Sequence, residues 1–205
     1  MSKTFFSIDQ LVEKSWIKFT EKPFLWICIT AILFSIQFFV QKFDPSISGF
    51  ILICIVVIVN YLKASILLMY IKSARGESVS IDNLSDVNFA TFIQYFLVTV
   101  ASGILMFIGF ILLIAPGIYI MARLMFAQYL VLDRNLTFDQ AIKMSWEISD
   151  GHVFSIVGFL GVMGFLLLVG LCSLIVGLLV AVPIIMLSSA ALYLLFFQND
   201  AHSIE

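Results

Sequence analysis

The stretch His152–Gln198, HVFSIVGFLGVMGFLLLVGLCSLIVGLLVAVPIIMLSSAALYLLFFQ, contains no Asp, Glu, Lys or Arg. As one helix rising ~1.5 Å per residue it would be about 70 Å long. The hydrocarbon core of a bilayer is only ~30 Å thick. The stretch therefore has to fold back into two spans, and Gly170 to Gly177 is the expected reversal.

Four further apolar runs lie upstream. They cover Phe24 to Val40, Gly49 to Ile71 (interrupted by Asn60 and Lys63), Thr91 to Ala115, and Ile118 to Leu132, which carries Arg123. Pro116-Gly117 separates the last two as a turn. The expectation is an all-α polytopic membrane protein with six transmembrane helices, residues 1–205 forming a single integral membrane domain. No alternating ten-residue strand pattern indicates a barrel. No small-residue cleavage site follows the first run, so it is expected to be a span and not a signal peptide. The composition agrees. Of 205 residues 62% are hydrophobic and 12% charged, against ~25% charged in a soluble domain. That excludes an ordinary cytosolic enzyme and a disordered chain. A net charge of -2 without a basic tract excludes nucleic acid as a partner.

Orientation follows from the cations. With the N-terminus inside, inner segments hold Lys3, Lys14, Lys18, Lys22, Lys72, Arg75, Arg134 and Lys143, and the outer loops hold Lys42. This bias places both termini in the cytoplasm. Cys28, Cys54 and Cys172 lie in apolar runs without a metal-type spacing and read as small buried hydrophobes.

Three polar-flanked segments precede the three pairs of spans: SIDQLVEKSW at Ser7–Trp16, SIDNLSDVNF at Ser80–Phe89 and TFDQAIKMSW at Thr137–Trp146. Ile8, Leu11, Val12, Trp16 and Phe19 share one helical face, as do Phe138, Ala141, Ile142 and Trp146, and Ile81, Leu84 and Phe89. Ser7 with Gln10 and Thr137 with Gln140 have capping-box spacing; Ser80 with Asn83 is a weaker form. The pattern suggests three cytoplasmic-face amphipathic helices in a threefold helix-plus-hairpin repeat, with units of about 7–72, 80–134 and 137–198. Trp16, Phe89 and Trp146 would be the interfacial anchors.

Pro116-Gly117-Ile118-Tyr119, Arg123, Asp133, Ala141-Ile142, Ser145-Trp146, Ser149 and Gly151 together resemble a signature of the YciC-like bacterial inner-membrane proteins. The signature is similar also to the membrane domain fused to some glycerophosphodiester phosphodiesterases. The resemblance is best over roughly residues 100–165. It implies a bacterial inner (plasma) membrane protein with six spans. The chain has no soluble phosphodiesterase domain, so that activity is not implied.

Arg123 is the sharpest candidate residue. A charge inside a span costs ~2.5 kcal/mol or more, and no span holds an Asp or Glu to pair with it. Asn60 and Gln37 lie at comparable expected depth, so Arg123, Asn60 and Gln37 form the candidate ligand-binding set, suited to an anionic headgroup. A structural lock is the competing role. Lys63 reads as a snorkelling residue. Gly158, Gly161 and Gly164 read as sites of close helix approach. Pro183 reads as opening the sixth span, as Pro116 opens the fourth. No catalytic residue, metal site or cofactor is expected, since HExxH, GxSxG and paired carboxylates are absent from the sequence and neither His152 nor His202 has a partner at ligand spacing. The expected function is a non-enzymatic accessory or structural role in the cell envelope. The alternative is binding or transport of a lipid or other small amphiphile through a bundle cavity lined by Arg123. Membrane lipids are the expected partners, with a membrane-protein partner or a second copy of the chain left open.

Overall fold

A computed structural model describes residues 7–41 and 49–202, with side chains for 7–38, 53–173 and 176–197. Lys3 and Lys42 lie outside the described residues. In lipid, a spanning chain has to satisfy its own backbone polar groups, and the described residues do so as helices: α1 (Ile8–Glu21), α2 (Pro23–Gln41), α3 (Gly49–Arg75), α4 (Phe89–Leu112), α5 (Ile114–Leu124), α6 (Ala127–Arg134), α7 (Phe138–Ile148), α8 (Val153–Cys172) and α9 (Leu174–His202). Five segments are long and apolar enough to cross a membrane: α3, α4, α5 with α6, α8 and α9. A sixth is counted when α1 and α2, bent by 95° at their junction, are taken as one. The bend has a local cause. Pro23 disfavours helical backbone at the residue before it, and Lys22 sits at φ -141°, ψ 59°.

Two antiparallel pairs, α4 with α5 and α8 with α9, close where backbones touch. A Cβ on Gly109 would lie 3.0 Å from the Gly117 Cα, and one on Gly170 would lie 2.8 Å from the Ala181 Cβ. The second reversal centres on Ser173. Because that turn is so tight, α9 begins at Leu174, and Pro183 falls inside the helix instead of opening it. Gly158, Gly161 and Gly164 also differ from expectation: a Cβ on any of them would meet nothing within 4 Å. The inward face of α8 is the one bearing Ile156, Phe159 and Met163, and the glycines lie away from it.

α9 is the hub, packed against α1, α2, α3 and α8. Trp26 stacks on Tyr70 with centroids 4.6 Å apart, and Tyr129 stacks on Tyr193 at 5.4 Å. The outer helices are apolar on the outside as well: Phe107 and Ile111 on α4 and Phe154 and Phe165 on α8 are all more than half exposed. Such a surface suits acyl chains and not water. Cys28 and Cys54 are half-buried, whereas Cys172 is exposed, because it ends α8 beside the reversal.

The three polar-flanked segments take three forms. α1 buries Leu11, Ser15 and Phe19; Ser7 makes no side-chain cap. The second segment is a 3-10 turn, Ile81–Ser85, with Asn83 accepting from the Ser80 N–H at 2.8 Å. Asp86 is drawn to Lys72 on α3, so the turn ends there, and Phe89 is instead the first residue of α4. α7 is capped by Gln140, which accepts from the Thr137 N–H at 3.2 Å. It does not stop at the end of the bundle. Its first N–H donates to Gln94 on α4, and it then packs along α6 and α5.

Candidate functional site

The fourth span breaks between Leu124 and Ala127, where α5 passes into α6. The break takes away the usual amide partner of the Arg123 carbonyl. Ser145 on α7 replaces it, its hydroxyl donating to the Arg123 carbonyl at 2.7 Å. Ser149 in turn donates to the Ser145 carbonyl at 2.8 Å. Both serines are buried. α7 is therefore fastened to the fourth span at its weakest backbone point.

The Arg123 side chain fastens the same two elements a second time. Its Nε and Nη2 donate to the Tyr119 hydroxyl at 3.0 and 2.8 Å, Nη1 donates to the Trp146 carbonyl at 2.9 Å, and Nη2 reaches Asp150 Oδ1 at 2.7 Å. The guanidinium also lies 5.2 Å from the ring centroids of both Tyr119 and Trp146. Arg123 is 7% exposed.

The expectation that Arg123 lacks a carboxylate is corrected. Asp150 belongs to no span; it follows α7, at the turn into α8. Eleven residues separate Arg123 from Arg134, a rise of ~16 Å, and α7 is an 11-residue helix laid back along that stretch. It delivers Asp150 to the level of Arg123. Gly151, at φ +71°, then lets the chain turn sharply into α8, a backbone conformation that suits glycine. Arg123 holds the Asp150 carboxyl below the usual carboxylate range, chiefly through this hydrogen bond.

The other expected members do not join Arg123. Asn60 donates to the Val56 carbonyl of its own helix at 2.8 Å. Gln37 is exposed on α2. The reason is topological: the neighbours of α5 are α4, α8 and α7, so α2 and α3 do not bring their amides to it. Lys63 is exposed on α3. Among the anchors, Trp16 is 50% exposed and Phe89 70%. Trp146 is also partly exposed, but its ring is part of the Arg123 cluster. A cavity of about 510 Å³ adjoins Arg123, lined by Ala115, Ile118, Tyr119, Val153, Phe154 and others. Apart from Arg123 and Tyr119 its walls are apolar.

A second polar centre was not foreseen. Asp133, with its side chain 6% exposed, ends α6 and accepts from Arg75 on α3 at 2.5 Å and from the Tyr193 hydroxyl on α9 at 2.8 Å. Arg134 approaches the same carboxylate at 3.6 Å and lays its guanidinium over Phe197. Three helices thus meet on one carboxylate. In the sequence Asp133 stands in the YciC-like signature and beside Arg134, a pair that reads equally well as a helix cap. Elsewhere, Ser189 bonds back to the Ile185 carbonyl at 2.8 Å. No group of three or more His, Cys, Asp or Glu that could hold a metal occurs among the described residues.

The fold and these centres define the class: an all-α polytopic membrane protein with polar clasps between its helices. Comparisons with known protein families, with curated proteins and with solved structures find no match.

Proposed function

We propose that the protein is a non-enzymatic accessory component of a bacterial inner membrane, with both termini cytoplasmic, serving envelope integrity or the support of other membrane proteins. The observation that carries this reading is the state of Arg123. The one strongly buried cation among the described residues directs four hydrogen bonds at its own chain, to Tyr119 twice, Trp146 and Asp150. A ligand site for an anionic amphiphile needs free donors and a positive field. Here four of the five N–H donors are occupied and Asp150 neutralises the charge, so the arrangement suits a lock that holds α7 and the fourth span together. Five residues of the YciC-like signature, Tyr119, Arg123, Ser145, Trp146 and Ser149, stand in this lock beside Asp150, which lies outside the signature. That supports a shared architecture and, with the cation bias, the inner-membrane placement.

The test is a deletion strain of the source bacterium, scored for uptake of a hydrophobic fluorescent dye and for abundance of other membrane proteins. Deletion is expected to raise dye entry or lower those abundances, with restoration by the wild-type chain. Proteoliposomes that accumulate a labelled lipid or solute against a gradient would overturn the accessory reading.

A further inference from the structure

The geometry points to a binding site for the phosphate headgroup of an anionic phospholipid, in the cavity that α1 roofs at the cation-rich end of the bundle. This inference goes beyond the accessory reading and does not depend on it.

An open cavity of about 400 Å³ lies between α1, α3, α6 and α9, and its charged walls are Lys14, Arg75, Arg134 and Asp133. Three cations and one carboxylate thus line it. Asp133 is already satisfied by Arg75 and Tyr193, and Arg75 is paired with Glu77 as well, at 3.5 Å. Arg134 lies beyond hydrogen-bond range of Asp133, at 3.6 Å, and is held in place by Phe197 instead. Lys14 makes no ion pair among the described residues. With Glu77 counted, three cations stand against two carboxylates, and the excess positive charge lies with Lys14 and Arg134. This is the reverse of the Arg123 cluster, where four of the five donors are occupied. Phosphate, as a multivalent oxygen acceptor, matches guanidinium forks and an ammonium.

The cavity's shape selects a lipid. A second space of about 180 Å³ shares Lys14, Ala74 and Ala191 with the first and is otherwise lined by Ser15, Ile17, Lys18 and Leu187. The two spaces adjoin along the α1–α9 seam. The charged one would take the headgroup, and the narrower one, walled largely by aliphatic side chains, the start of an acyl chain. Basic pockets between spans are the usual means of holding anionic headgroups. α1, bent 95° away from α2, is then the element that lipid occupancy would clamp onto α9.

The test uses the full chain, purified in a neutral detergent, with melting temperature and native mass spectrometry as readouts. Phosphatidylglycerol, phosphatidylcholine and soluble glycerol 3-phosphate are added separately. Phosphatidylglycerol is expected to stay bound and raise the melting temperature, phosphatidylcholine to do neither, and high salt to weaken the effect. Lys14→Gln with Arg134→Gln should weaken binding roughly fivefold per charge removed, and Arg134→Lys should retain most of it. Asp133 and Arg75 stay intact in both variants, so the folded state keeps its clasp. If glycerol 3-phosphate alone stabilises as well as the lipid, and Arg134→Gln abolishes this, the phosphate site stands but the lipid assignment is overturned. Equal retention of phosphatidylglycerol and phosphatidylcholine, or lipid binding unchanged in the double variant, overturns the site itself.

Discussion

Replacing Arg123 with leucine tests the clasp between α7 and the fourth span. Two sets of contacts set the magnitude. Hydrogen bonds to a charged group contribute about 1.5–3 kcal/mol each. Tyr119 is 41% exposed, and the Trp146 carbonyl also lies 3.1 Å from the Ser149 hydroxyl, so neither group is left without a substitute partner and the low end applies to both. The two ring contacts add roughly 0.5–1 kcal/mol each. The Asp150 ion pair is left out, because a carboxylate 74% exposed rehydrates once released. Leucine returns about 1.5–2 kcal/mol by burial of its own side chain. The net loss is roughly 2–3 kcal/mol, or about 5–10 °C in melting temperature at the 2–4 °C per kcal/mol of a chain this size. Tryptophan fluorescence on heating in detergent reads this directly, since Trp146 lies in the cluster. Arg123→Lys, which keeps the charge but not the fork, should fall between the two. A leucine variant melting within about 1 °C of wild type, the range of a neutral surface change, would refute the clasp.

Three further outcomes follow from the same geometry. Gly177→Val should destabilise by about 1–3 kcal/mol through overpacking, because its Cβ would run into the Gly170 backbone and the Ser173 side chain; Gly161→Ala, with open space around it, is the control and should leave stability unchanged or slightly raised. Because Arg123 lowers the Asp150 pKa in the folded state, that contribution is fully present above the unfolded value of about 3.9 and is lost as pH falls through the lower folded value. Thermal stability should thus be insensitive to Asp150 between pH 5 and 8 and drop below about pH 4, a drop that Asp150→Asn should shrink but not abolish, since Asp86 and Asp139 are shifted the same way. In a chain cleared of native cysteines, a cysteine at Lys3 should be protected from an external membrane-impermeant thiol reagent and one at Lys42 labelled; the reverse pattern would overturn the orientation.

What could be read from the sequence, and what could not, has a physical division. Hydropathy marks a span through the mean of some twenty residues, so α3, α4, α8 and α9 were legible, and the charge-free stretch from His152 required a reversal wherever it fell. The glycine pairs that close the hairpins could be placed only to within a turn, because a reversal and a packing glycine look alike until the neighbouring backbone is known. That is why Gly170 and Gly177 proved to be contacts while Gly158, Gly161 and Gly164 did not. Polar partners were the least legible. Arg123 was conspicuous because charge in a span is costly, but its carboxylate was sought in other spans, at equal hydropathic depth. The partner came from outside any span, carried there by a short amphipathic helix whose sequence alone suggested an interfacial position.

The same mechanism gives Asp133 its role. A carboxylate at a helix end is ordinarily exposed and worth little. Here Tyr193 closes over one side and Arg75 occupies the other, two residues brought in by α9 and α3 from 60 and 58 positions away in the chain. Both polar centres lie where another helix ends against the fourth span, α7 at Arg123 and α3 at Asp133. The broken, partly polar fourth span is thus the one from which the bundle's register is fixed. Its apolar neighbours supply area without direction, whereas directional bonds to Arg123 and Asp133 select one arrangement among many of similar hydrophobic burial.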